Sequence, residues 1–106
     1  MSLEPALRSR IERLLADHRV VLFMKGTRQS PRCGFSAAAT SALNGLLDEY
    51  LTVDVLEDDA IRNGIKAYGN WPTIPQLYVG GELVGGSDII LGLLESGELH
   101  QLLGVP

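Results

Sequence analysis

The residues Val20-Val21-Leu22-Phe23-Met24-Lys25-Gly26, then Thr27-Arg28-Gln29-Ser30-Pro31-Arg32, then Cys33-Gly34-Phe35-Ser36 carry the clearest folding signal in the chain. The apolar run from Val20 to Met24 is short, rich in strand formers and closed by Lys25, which predicts a central strand covered on both faces. A polar loop holding Pro31 follows. From Cys33 onward Phe35, Ala38, Ala39, Ala42, Leu43 and Leu46 recur at helical spacing, so a helix is expected with those residues on its inner stripe. Cys33 thus falls where a helix begins.

Upstream, Leu3, Leu7, Ile11, Leu14 and Leu15 repeat with helical period. Most of the basic residues lie at or before Arg32, and an Arg-rich start also marks organellar transit peptides, but Glu4, Glu12 and Asp17 interrupt the charge and favour an amphipathic helix packed on the domain. Downstream, Leu51, Val53 and Val55 alternate with Thr52 and Asp54 as a second strand. Asp58 or Asp59 is suited to cap a helix carrying Ile61, Ile65 and Tyr68, with Gly69 placed to end it. Beyond Trp71-Pro72, residues 76–79 and 82–84 flank Gly80-Gly81, a two-residue signal for a tight antiparallel hairpin. Gly85-Gly86-Ser87-Asp88 opens a helix with Ile89, Ile90, Leu93 and Leu94, and residues 98–103 form a last short one. The expected order is α-β-α-β-α-β-β-α-α, an α/β class.

Length and composition bound the function. A chain of 106 residues fits one domain spanning 1–106. It is 45% hydrophobic and 21% charged, and no apolar run nears the roughly eighteen residues of a membrane span, so a cytoplasmic domain without a membrane partner is expected. Thirteen acidic against nine basic residues leave a net charge of -4, which disfavours binding to a phosphate backbone and therefore to nucleic acid. Neither G-x-x-x-x-G-K nor G-x-G-x-x-G stands at a strand-to-helix turn, so nucleotide binding has no support. His18 and His100 have no partner at metal-ligand spacing and are read as surface residues.

Cys33 is the only cysteine, which excludes an internal disulfide and with it a disulfide-stapled secreted scaffold. A lone cysteine is more often a small buried hydrophobe than a nucleophile. Its place argues otherwise: a thiolate at a helix N-terminus meets unsatisfied N–H groups and the positive end of the helix dipole, with Lys25 across the loop and Arg32 beside it. Ser36 occupies the position where a C-x-x-C enzyme carries its resolving cysteine. The resolving thiol must then come from another molecule.

Three motifs now stand in order: Lys25-Gly26 with Cys33-Gly34-Phe35-Ser36, Trp71-Pro72-Thr73-Ile74-Pro75-Gln76, and Gly85-Gly86-Ser87-Asp88. Together with the elements between them they make nearly the whole chain resemble the CGFS-type monothiol glutaredoxins. The resemblance implies a thioredoxin fold, with a central four-stranded mixed sheet flanked by helices and the cysteine at the first strand-to-helix turn. It implies glutathione as the outside thiol, whose carboxylates call for basic side chains and helix N-termini. By matching position, Lys25 and Arg62 contact the glycine carboxylate. Pro75 is the cis-proline that turns the main chain of Ile74 toward the cysteinyl part, and Gly86, the Ser87 N–H and the Asp88 carboxylate hold the γ-glutamyl end. A plain helix cap explains Asp88 nearly as well, Arg62 alone reads as a solvated helix charge, and Trp71 divides evenly between core and ligand contact. Ser87 stands where relatives carry a second cysteine, which removes a regulatory disulfide.

Two functions are implied. In the first, Cys33 is the chain's one thiolate ligand to a two-iron, two-sulfur cluster; a homodimer with two glutathiones completes the four ligands and passes the cluster to client apoproteins, with a BolA-like protein as a stand-in for one subunit. In the alternative, Cys33 attacks protein-glutathione mixed disulfides as a glutathione-dependent thiol-disulfide oxidoreductase. Residues 27–32 resemble the longer loop of the CGFS proteins, for which cluster binding prevails and oxidoreductase turnover is weak. A thioredoxin-fold adaptor without glutathione affinity is the third reading.

Overall fold

The computed structural model describes residues 3–106. Its elements are α1 (Pro5–Asp17), β1 (Val20–Met24), α2 (Gly34–Asn44), β2 (Leu51–Asp54), α3 (Asp59–Gly69), β3 (Gln76–Val79), β4 (Glu82–Gly85), α4 (Ser87–Ser96) and α5 (Glu98–Leu103). The strands form one mixed sheet in the order β2-β1-β3-β4. β1 runs parallel to β2, pairing Val21 with Leu51 and Met24 with Asp54, and antiparallel to β3, pairing Val20 with Val79 and Phe23 with Gln76. The expected thioredoxin fold is the observed one.

All of β1 is buried because helices cover both faces of the sheet. Val20, Leu22 and Met24 point to one side, where they meet Ala39 and Leu43 of α2, Ile90 of α4 and Leu99 and Leu103 of α5. Val21 and Phe23 point to the other, against Ile11 and Leu15 of α1, Ile61 and Ile65 of α3, and Tyr78. Fully burying an aliphatic or aromatic side chain of this size is worth about 1.5–3 kcal/mol, so β1 anchors two cores at once. Among the described residues no helix is long and apolar enough to cross a membrane.

The sequence expectations are corrected at three points. In α2 the buried face is Ser36, Ala39, Thr40, Ala42 and Leu43, so Ala39, Ala42 and Leu43 lie inward as expected, but Phe35 is 64% exposed. The departure is at the first turn, where Phe35 turns outward and Ser36 lies inside with its hydroxyl satisfied. Gly69 is the last residue of α3, but the left-handed cap that stops the helix is Asn70 (φ 49°). Gly69 lies in the last turn for a different reason: a Cβ there would strike the Tyr78 hydroxyl. Of the two expected candidates it is Asp58 that caps the start of α3: its carboxylate accepts from the Ile61 N–H at 3.1 Å, which together with Arg10 at 2.6 Å holds that carboxyl below its ordinary range. Finally, His18 is exposed as expected, but His100 is half-buried with its Nδ1 enclosed and unpaired.

Candidate active site

Cys33 is the N-cap of α2, in extended backbone (φ -155°), and its carbonyl accepts the first helical bond from the Ala37 N–H at 2.9 Å. The thiol makes no close capping bond and is half-buried. Partial burial pushes its pKa up, but the N–H groups of Ser36 and Phe35, the Ser36 hydroxyl and the Lys25 ammonium outweigh that effect, and the net shift is downward. The geometry favours the thiolate. Ser36 is fully buried, and its Oγ also accepts from the Lys25 N–H at 3.0 Å, which ties the end of β1 to the first turn of α2.

The connection between Lys25 and Cys33 is ordered by its own backbone. The Arg32 N–H donates to the Lys25 carbonyl at 2.8 Å, Gly26 bridges to Pro31, and Thr27 and Ser30 exchange bonds at 3.2 and 3.1 Å. Gly26 has φ 90°, and a Cβ there would lie 2.5 Å from the Ser30 carbonyl, so glycine is required. Its N–H donates to Asp54 at the end of β2 at 2.9 Å.

Beside the cysteine, α2, α3, the 71–75 loop and the start of α4 enclose an open cavity of about 490 Å³. Of the residues singled out from sequence, Lys25, Trp71, Ile74, Pro75, Gly86, Ser87 and Asp88 line it. The Ile74–Pro75 peptide bond is cis, as expected. Gly86 is the N-cap of α4, so Asp88 caps nothing and its exposed carboxylate faces the cavity mouth. Cys33 is not itself in the wall, but the Phe35 whose N–H favours its thiolate and the Lys25 whose charge does so both are. Arg62 is not in the wall. Lys66, one turn further along the same face of α3, is. Sequence reading missed Lys66, Phe35, Thr73 and Ile89; the available signal for Lys66 was its i+4 spacing from Arg62.

Buried Gln76 supports the loop from beneath. Its amide donates to the carbonyls of Trp71 (3.0 Å) and Thr73 (3.3 Å) and its Oε1 accepts from Tyr78 at 3.0 Å. Trp71 is both core and wall: it is half-buried, with an enclosed and unpaired indole N–H near Gly86, where a Cβ would lie 3.6 Å from that nitrogen. Among the described residues no group of three His, Cys, Asp or Glu side chains is arranged to hold a metal ion. Cys33 is the one thiolate the sequence offers a metal.

A four-stranded thioredoxin sheet with a single activated cysteine at the β1–α2 junction, whose neighbours Lys25 and Phe35 wall a cavity shared with a cis-proline loop, defines a thiol-chemistry protein of the thioredoxin-fold class. The glutaredoxin family model matches residues 20–84, and the chain belongs to that family as a monothiol member. It is 50% identical over 103 residues to the ycf64-like monothiol glutaredoxin of Synechocystis sp., covering 97% of this chain and 96% of that one. Other relatives are longer: the chain spans 60% of one and 30% of another. Among solved structures, reduced apo GrxS14 of poplar superposes with a TM-score of 0.84 at 43% identity, over 98% of this chain and 95% of that one. A buckwheat glutaredoxin solved in complex with glutathione shares the fold, with a TM-score of 0.80 at 22% identity over 97% and 94% of the two chains.

Proposed function

We propose that this monothiol glutaredoxin binds glutathione in the cavity beside Cys33 and, as a homodimer, carries a two-iron, two-sulfur cluster to client apoproteins. The observation that carries the reading is that an activated Cys33 is the only thiol, with Ser36 in the place of a resolving cysteine. The charges of the cavity suit the tripeptide. Lys25 and Lys66 offer cations for the glycine carboxylate, the Ile74 main chain offers strand-like pairing, and the Ser87 N–H and Asp88 carboxylate offer partners for the carboxylate and ammonium of the γ-glutamyl end.

The cluster is cargo. A two-iron, two-sulfur cluster takes four ligands, usually thiolates; one Cys33 and one glutathione from each of two subunits supply that number. Within each subunit Cys33 presents a thiol whose ionisation its surroundings favour, and Lys25 and Lys66 orient the glutathione whose sulfur stands next to it. An acceptor exchanging for one subunit, such as a BolA-like protein, is part of the proposal. So is a cytoplasmic setting, since a free thiolate of this kind persists in a reducing compartment.

Calorimetric titration of the reduced chain with glutathione tests the binding half. Saturable uptake of one glutathione per chain is expected, and absence of saturable heat would leave the chain a thioredoxin-fold adaptor.

A further inference from the structure

On the face of the molecule formed by α2, α4 and α5, an open groove of about 570 Å³ separates the outer surfaces of α2 and α4. From α2 and its C-cap it is lined by small residues, Ala38, Ser41 and Gly45, at i, i+3 and i+7, so an incoming segment can approach closely. Leu46, Leu91 and Leu94 complete an apolar lining, and Leu91 is 41% exposed. None of these residues lines the cavity beside Cys33. His100 stands in the same wall, and the fold leaves its enclosed Nδ1 without a hydrogen-bond partner. The charge around the groove has one sign. α2, α4 and α5 contain no lysine or arginine, and besides His100 their ionisable side chains are Asp88, Glu95 and Glu98. Asp88 stands three residues before Leu91 and Glu95 four after it, on one stripe of α4, and both are exposed. The carbonyl end of α2 adds a partial negative charge. Arg28 and Arg19 reach helix ends on either side but are fixed there: Arg28 donates to Asn44 Oδ1 and to the Leu47 and Asp48 carbonyls, Arg19 to the Leu102 and Leu103 carbonyls. Neither lines the groove.

We infer that this groove docks a basic amphipathic helix of a partner protein, with aliphatic side chains lodged between α2 and α4 and lysines or arginines set against Glu95 and the carbonyl end of α2. The walls are helices, whose main-chain groups bond within themselves and offer no strand edge to an extended peptide. A segment that satisfies its own backbone and presents anchors at i and i+4 fits such a wall. The sign of the charge selects the partner. An acidic helix meets like charge, and a second copy of this chain, docked face to face, sets the same carboxylates against each other. The inference is independent of glutathione and of cluster chemistry, because the groove and the cavity share no residue.

The probe is a fluorescein-labelled synthetic helix of alanine, leucine and lysine, with leucines at i and i+4 on one face and lysines flanking them. Its controls are a scrambled isomer and an analogue with glutamate in place of lysine. Anisotropy titration with the reduced full chain is expected to show saturable binding of the lysine helix, binding about tenfold weaker for the scrambled isomer, and none for the glutamate analogue. Amide NMR shifts on titration are expected to centre on residues 38–46 and 91–94. Ser41→Arg places bulk and a cation in the groove from an exposed position, and Glu95→Lys reverses the rim charge. Each is expected to weaken binding about tenfold while Tm and glutathione uptake stay as in the unmodified chain. Absence of saturable binding, equal affinity for the lysine and glutamate helices, shifts centred on the Cys33 cavity, or undiminished binding to Ser41→Arg overturns the proposal. So does self-association of the reduced chain that Ser41→Arg abolishes, which assigns the groove to a second copy. Should Ser41→Arg fail to fold, Glu95→Lys decides: weakened binding supports the groove and unchanged binding overturns it.

Discussion

The backbone N–H of Lys25 donates to the hydroxyl of buried Ser36 at 3.0 Å, so the residue that replaces a second active-site thiol is also the joint between β1 and α2. Ser36→Ala leaves that N–H without an acceptor and is expected to cost about 1–3 kcal/mol in denaturant unfolding. It also takes away the hydroxyl that favours the Cys33 thiolate. Ser36→Cys supplies a weaker acceptor and a second thiol three residues on; mild oxidation is expected to consume both free thiols of this variant in a monomer. A variant that retains both after oxidation would contradict the α2 start described here.

The ionisation of Cys33 sets the sign of a pH effect. Burial raises its pKa, while the N–H groups of Ser36 and Phe35, the Ser36 hydroxyl and Lys25 lower it further than burial raises it. The folded value thus lies below the unfolded one. The thiolate's contribution to stability is then fully present above the ordinary thiol pKa and fades as pH falls through the depressed folded value. Cys33→Ser is expected to keep the fold, abolish alkylation, and show a stability deficit that widens from acid to alkaline pH across that window. A deficit constant with pH would contradict the assignment.

Lys66 rather than Arg62 shares the cavity wall with Lys25. Lys25→Ala and Lys66→Ala are each expected to weaken glutathione binding by roughly 1–3 kcal/mol in calorimetry, as loss of a charge-assisted contact. Arg62→Ala is expected to change it by less than about 0.5 kcal/mol, the scale of a solvated surface charge. The reverse ranking would restore the sequence-based expectation for Arg62.

β1 and the position of Cys33 were legible because full burial on both faces leaves an unbroken apolar run, and a helix start leaves a break in period. The inward face of α2 was legible at Ala39, Ala42 and Leu43 but not at its first turn. Hydrophobicity put Phe35 inward, while the structure turns it out and buries Ser36, whose polarity is answered by a backbone N–H from another element. Gly69 carried an ambiguous signal, since glycine serves both a helix end and a close approach; here the approach of Tyr78 explains it and Asn70 ends the helix. The choice between Arg62 and Lys66 depends on how α3 is rolled against the sheet, and the anchorage of Arg28 on residues far along the chain leaves no local trace.

Gln76 holds the 71–74 backbone by two carbonyls from a fully buried position. Gln76→Leu keeps the volume and removes both bonds together with the acceptor of the Tyr78 hydroxyl, so a loss of about 1–3 kcal/mol in stability is expected. Because the Ile74 main chain belongs to the same loop, glutathione affinity is expected to fall as well. Normal affinity in a destabilised variant would separate Gln76 from the site.

The central claim is that one thiolate per chain, completed by glutathione, holds a transferable cluster between two subunits. Anaerobic reconstitution with iron, sulfide and glutathione, followed by visible absorption and native mass before and after dialysis into glutathione-free buffer, tests it most directly. The expected result is a coloured dimer carrying two glutathiones, which bleaches on dialysis and returns to the mass of one chain. A cluster that remains on a monomer after complete removal of glutathione would contradict the account, because Cys33 is the only cysteine in the sequence.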